Sequence, residues 1–250
     1  MTEENLSVEG LYSGMEALAD AIERISAPME ELLSSMIEVC KAYGKFALWV
    51  ETVNQMSDAQ IVFTDDLTLE MAHKFTVKST IELAVEEYYY EDGNIYSLIE
   101  RIKRNKKMAL YFSFYGEIME AFKKEHYQLA CAGLFTLADG ILSDVTKMDT
   151  TNYKERIKEI EKNSDSLLIE STRKLICIYE GIKTVSTSMF KSVNFSREEN
   201  NSLNRNRLQH GRTHRAYTRM DFLKALLLLD GILFLAEQGP VDNQIEVNKE

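Results

Sequence analysis

The chain has 250 residues and a formal net charge of −11, long enough for one large or two small domains with a real core. Two prolines, Pro28 and Pro240, and 11 glycines are all that punctuate it, which argues against a turn-rich β architecture and for long helices. Cys40, Cys131 and Cys177 lack Cys-x-x-Cys spacing and each sits in an apolar helical context, which speaks against zinc and for buried thiols in a reducing compartment.

Apolar residues recur at helical spacing from Val8 to Ser26 and from Pro28 to Tyr43, with proline in the first turn of the second helix. Phe46 to Met56, holding the only tryptophan, Trp49, predicts a third helix. Ile61-Val62-Phe63 reads either as a short strand or as a loop entering a helix, with the loop preferred. Thr80 to Tyr90 predicts a helix, and Glu91-Asp92-Gly93-Asn94 a turn. Beyond the turn, Met108, Tyr111, Phe112, Tyr115, Ile118, Met119 and Phe122 form one helical stripe. A second runs through Tyr127, Ala130, Cys131, Leu134, Leu137, Ala138, Ile141 and Val145. Tyr153 to Lys162 reads as a solvated helix or a linker, Ser164 to Phe190 as a helix and Ser192 to Asn201 as a polar loop. The last helix, Thr218 to Glu237, is apolar nearly all round, so it is either central to a bundle or shared with a second subunit.

The expected architecture is therefore all-α: an acidic helical region over 1–90, an up-and-down bundle over 91–240 and a polar tail over 241–250. Residues 1–100 carry 20 acids and 5 bases, whereas 101–250 carry 20 acids and 24 bases, so a polyanion would meet the second region. The acidic N-terminus lacks the basic start of a signal peptide. The apolar run Phe222 to Ala236 is too short and too polar at Lys224 and Asp230 to span a membrane. A cytoplasmic protein without membrane association is expected.

Residues 201–220 hold Arg205, Arg207, Arg212, Arg215, Arg219, His210 and His214 and no acid. RNA supplies its own nucleophile, the 2′-hydroxyl. A histidine titrating near neutrality can take that proton and protonate the leaving 5′-oxygen, and an arginine fork can stabilise the phosphate charge. In a helix, Asn206 and His210 share a face, so the amide can orient the imidazole. Arg205 and His210 then point about 140° apart, which hints at a site shared by two facing copies. Gly211 is expected to end the helix. Arg207, Arg212, Arg215, Arg219 and His214 are candidates to contact RNA. Asp139, inside an apolar helix, is a candidate partner for an arginine of the motif; an exposed place on the bundle edge is its alternative. The basic run from Arg101 to Lys107 either extends the RNA track or is a solvated face.

The run Asn204-Arg205-Asn206-Arg207-Leu208-Gln209-His210-Gly211, followed by an apolar last helix, resembles the Arg-x4–6-His signature of the HEPN superfamily. The stretch from Ala121 through Leu142 is similar to HEPN proteins of the abortive-infection type, and the resemblance covers roughly residues 91–238. It implies a dimeric, metal-independent endoribonuclease serving as a toxin or antiviral effector, without a cofactor. Arg205 and His210 would be catalytic and Asn206 would assist, leaving a cyclic phosphate and a 5′-hydroxyl. Some such toxins carry a tyrosine two places after the histidine, where this chain has Arg212. Alternatives are a non-catalytic helical dimer that binds a protein or nucleotide partner, and an antitoxin or sensor subunit.

Overall fold

The computed structural model describes residues 33–40, 42, 44–64, 66–68, 70–71, 74–75, 80–148, 150, 152, 155–159, 172–194 and 202–238. The expected helix Val8–Ser26, the start of the helix at Pro28, residues 164–171 and the tail 241–250 lie outside them. Among the described residues the structure is helical, with no strand. The chain divides into two compact units, Met1–Ala47 and Leu48–Glu250. This division falls at a different place from the boundary expected at residue 90. In the first unit, 33–40, 42 and 44–47 are helical, and Cys40, expected to be a buried thiol, is exposed there.

The second unit is a helical bundle. Residues 48–58 are helical and lead through a turn with Gln60 at φ 59° into Ile61, Val62 and Phe63. These three form no strand, yet all are fully buried. Helix α1 (Ile81–Glu86), capped by Thr80, runs straight into a π-helix at Glu87–Glu91. Gly93, at φ 76°, makes the turn into α2 (Asn94–Arg104).

The first predicted stripe does not form one helix. Lys106–Tyr111 is a 3-10 helix and α3 begins only at Phe112, running to Lys123. Three residues per turn instead of 3.6 shift the phase, so Met108, Tyr115, Ile118 and Met119 are buried while Phe112 is 55% exposed. Helix α4 (Tyr127–Thr146) follows its predicted stripe, burying Ala130, Cys131, Leu134, Leu137, Ala138 and Ile141. By length and composition it is the one helix among the described residues able to cross a membrane. Burial pushes the Cys131 thiol well up, as suits an inert core residue. Residues 155–159 are helical, and α5 spans Thr172–Met189. A short α6 (Arg205–Gln209) precedes α7 (Arg219–Gln238).

Helix α7 packs chiefly on α4 and also on α5 and α2, while α3 lies against α4. Of the two readings left open for it, centrality is the one observed. Phe222, Leu223, Leu226, Leu227, Leu228 and Leu229 are fully buried within one chain. Its apolar faces are already covered, so the helix is not one shared with a second subunit. Phe122 of α3 stacks on Phe222 at 4.1 Å. Gly133 lets α3 approach α4 closely: a Cβ there would lie 2.6 Å from Ile118 Cγ1. Gly133→Ala should therefore overpack the core and lower unfolding stability by about 1–3 kcal/mol, measurable by urea denaturation.

Candidate functional site

Helix α6 is barely longer than one turn, and its position is fixed from outside itself. Leu203, just ahead of it, is held by the Gln60 side chain as a second backbone would hold it. Gln60 Oε1 accepts from Leu203 N at 2.6 Å, and Nε2 donates to Leu203 O at 3.0 Å and to Ser188 Oγ at 2.8 Å. Asn204 caps the helix, Oδ1 accepting from Arg207 N at 3.0 Å and Nδ2 donating to Lys191 O at 3.0 Å. Asn206 Nδ2 donates to the same carbonyl at 3.2 Å. Two asparagines thus satisfy a carbonyl just beyond the end of α5 that has no helical partner.

At the other end, Gly211 adopts φ 63°, with Gly211 N donating to Leu208 O at 3.2 Å and Arg212 N to Arg207 O at 2.8 Å. This pair of bonds is a Schellman cap, so Gly211 ends the helix and His210 occupies its C-cap, exposed. Gln60 was not singled out in the sequence, because a glutamine in a turn carries no periodic signal. Gln60→Leu should leave the two buried backbone atoms of Leu203 unsatisfied, while exposed Ser188 can turn to water. We expect destabilisation of about 1–3 kcal/mol and faster amide exchange at Leu203.

Arg205 points back to α4. Its Nη2 donates to Asp139 Oδ2 at 2.9 Å and its Nη1 to Asn206 Oδ1 at 3.4 Å, and the guanidinium sits 5.7 Å from the centre of the Phe190 ring. Asp139 also accepts from a second arginine: Arg156 Nη1 lies 3.0 Å from Oδ1 and 3.4 Å from the backbone oxygen. Arg156 is only 6% exposed. The segment read as a solvated helix or linker therefore buries a cation at its heart, with Ile157 beside it. One carboxylate faces two guanidinia, leaving the cluster a net positive charge. Next to Asp139, Gly140 admits Tyr111, whose hydroxyl donates to Asp144; burial and that carboxylate push the Tyr111 phenol up to about 12.

The other residues expected to contact RNA divide into two groups. Arg212 and His214 are exposed. Arg207 is 7% exposed, with Nη2 donating to Asn194 O at 3.4 Å. Arg215 clamps Asp221 with two 2.7 Å bonds and lies 4.7 Å from the Tyr217 ring centre. Arg219 Nε donates to Glu86 Oε1 at 2.6 Å and lies above the Tyr90 ring. The stretch that is free of acids in sequence is thus not free of them in space: Asp139, Glu86 and Glu91 come to it from other elements, and Asp221 stands just beyond it in the first turn of α7. Arg101, from the other basic run, is likewise paired, with Asp66 and Asp230. Among the described residues, no three His, Cys, Asp or Glu side chains gather to hold a metal ion.

No protein-family model, no curated protein and no solved structure matches the chain.

Proposed function

We propose that the chain is a HEPN-type, metal-independent RNA endonuclease of a toxin or antiviral defence system, acting in the cytoplasm as a homodimer. The observation that carries this reading is the fixing of Arg205 by Asp139 at one end of a helix whose other end presents His210. A guanidinium held at one edge keeps its remaining N–H groups for a phosphate, and a site held in place needs little reorganisation when charge develops. The bonds from Gln60, Asn204 and Asn206 and the cap at Gly211 provide that rigidity.

In this scheme His210 removes the proton of the ribose 2′-hydroxyl, and the 2′-oxygen attacks phosphorus. A cyclic phosphate forms as the bond to the 5′-oxygen breaks, and that oxygen is protonated by an imidazolium, from this copy or a second one. Arg205 stabilises the phosphoryl charge and Asn206 holds Arg205 in register. Arg212 and His214, both exposed, bind the flanking phosphates. The five steps from Arg205 to His210 span about 7.5 Å along a helix axis, which favours two copies of α6 placed side by side. Since α7 is covered, that pairing uses other surfaces.

The test is incubation of the purified protein with single-stranded RNA in EDTA. Cleavage leaving a 2′,3′-cyclic phosphate and a 5′-hydroxyl is expected. No cleavage of any RNA, or equal cleavage by His210→Ala, sinks the reading.

One observation favours a second reading: Arg205 and Asp139 already form an ion pair of moderate burial, at 26% and 32% side-chain exposure. A non-catalytic helical dimer that holds a nucleotide, or a protein partner such as an antitoxin or sensor, through Arg212 and His214 needs no more than this. RNA binding without cleavage would support it.

A further inference from the structure

The 3-10 helix at Lys106–Tyr111 repeats every three residues, so its side chains stand in three rows of i, i+3 neighbours. Met108 and Tyr111 form the inner row. Met108 is 1% exposed, and the Tyr111 hydroxyl donates to Asp144 on α4, so these two side chains hold the turn against the bundle. The other two rows face outward: Lys107 with Leu110, and Lys106 with Ala109 and Phe112, the first residue of α3. Each outward row begins at a lysine and ends at a large apolar side chain. Leu110 is 88% exposed, more than any other large apolar side chain among the described residues, and Phe112 is 55% exposed. From α2, Lys103 Nζ lies 5.5 Å from the centre of the Phe112 ring and adds a third ammonium to the rim. We propose that this turn docks the protein on an anionic phospholipid surface. Leu110 and Phe112 enter the acyl boundary, while Lys103, Lys106 and Lys107 meet the headgroup phosphates.

The charge suits that occupant. Among the described residues Lys106 and Lys107 make no ion pair. Glu100 lies 3.8 Å from Lys103, too far for a firm hydrogen bond. The carboxylates that reach the ends of the turn are engaged, Asp144 by Tyr111 and Glu237 by Asn105.

The shape argues against the other candidates. A protein partner covers about 800 Å² on each side, whereas the apolar part here is two side chains on one protruding turn. An RNA strand binds where bases can stack on aromatic rings; leucine has no such face, and Lys103 already covers one side of Phe112. A bilayer demands no matching shape. Apolar side chains sink to the headgroup boundary and basic ones stay above it, drawn to the negative surface, and lysine stems can lie along the apolar layer with their heads in water. Docking of this kind needs no spanning helix, so it departs from the expectation of no membrane association without requiring the span on which that expectation turned. None of its residues belongs to the proposed nuclease centre.

Co-sedimentation of the full chain with phosphatidylcholine vesicles containing about 30% phosphatidylserine, against vesicles of phosphatidylcholine alone, tests the inference. Binding to the mixed vesicles should be about tenfold stronger or more, and should fall as salt rises. The pair Leu110→Ser and Phe112→Ser, and the pair Lys106→Ser and Lys107→Ser, should each weaken it by about tenfold. All four side chains are exposed, so both double variants keep the wild-type circular dichroism. Leu110→Trp should show a blue shift and quenching by brominated lipid on docking, beyond any change in the wild type with Trp49 alone. His210→Ala should dock as wild type, which separates this surface from cleavage. Equal binding to the two kinds of vesicle, undiminished binding in both double variants, or unshifted emission in Leu110→Trp would overturn it. So would a lysine double variant that loses single-stranded RNA but keeps the mixed vesicles, since the patch would then be an RNA track.

Discussion

His210→Ala is expected to lower metal-free RNA cleavage by about 10²–10⁴-fold, the usual contribution of a positioned acid–base group, with no loss of thermal stability. The separation of the two effects follows from position. His210 is the exposed C-cap of α6, and the bonds that close the helix there use backbone atoms of Arg207, Leu208, Gly211 and Arg212. Arg205→Lys should lower cleavage by about 10²–10³-fold, in the range for one lost charge-stabilising donor. A lysine retains the charge but has no planar fork with which to hold Asp139 and a phosphate together. Asp139→Asn should weaken cleavage less than Arg205→Lys, since the amide oxygen can still accept from Arg205 while Arg156 keeps the backbone oxygen of residue 139. The readout is single-turnover cleavage of a labelled RNA in EDTA, with melting followed by circular dichroism. If Asp139→Asn proved as inactive as His210→Ala while remaining folded, Arg205 would not be acting as the charge stabiliser, and the assignment of roles would fail.

Asp221→Ala should be the most destabilising single change outside the apolar core, by about 3–5 kcal/mol, or roughly 10 °C in melting temperature for a unit of this size. Asp221 is 6% exposed. It accepts two bonds from Arg215, one from Thr218 N at 2.9 Å and one from Thr218 Oγ1 at 3.1 Å, while its own N–H donates to Thr218 Oγ1. Removing the carboxylate leaves a largely buried guanidinium without its counter-charge at Asp221 and uncaps α7. Burial pushes the Asp221 carboxyl up, but the Arg215 fork and Thr218 outweigh it and hold the group below the usual carboxylate range. A depressed pKa of this kind contributes stability that is fully present above about pH 4, the unfolded value, and is lost as pH falls through the folded value. The wild type should therefore lose stability below about pH 4 more steeply than Asp221→Asn. Equal acid profiles would show that the clamp contributes nothing. Because Arg215 and Asp221 also anchor the loop that carries Arg212 and His214, the substitution should weaken RNA binding as well.

Much of the helical layout could be read from spacing alone. The α4 and α7 patterns were unambiguous because core helices must bury every apolar residue that 3.6-residue geometry brings inward. Gly211 announced the end of α6 because only glycine adopts φ 63° without strain. The stripe from Met108 to Phe122 misled because it crosses from a 3-10 to an α turn, and apolar spacing carries no mark of that change. Ile61 to Phe63 is buried without belonging to a helix or strand, a placement set by what packs over it. The π-helix and the inward turn of Tyr89 had no signature in Tyr88-Tyr89-Tyr90 beyond their aromatic character.

Asp139 and Asp230 show where local reading ends. Each begins the same tetrapeptide, Asp-Gly-Ile-Leu, in an apolar helix, so a need for cationic partners could be inferred from burial. Which arginine answers could not: Arg205 and Arg156 reach Asp139, and Arg101 reaches Asp230, over separations in the chain that no periodic pattern spans. From composition and spacing alone, then, come the all-α class, the burial of the last helix and the place where a guanidinium and an imidazole share one short helix. Tertiary structure alone decided which of the clustered arginines remain exposed. Chain order constrains neighbours within a turn, whereas the pairing of charges depends on which elements the collapse of apolar faces brings side by side.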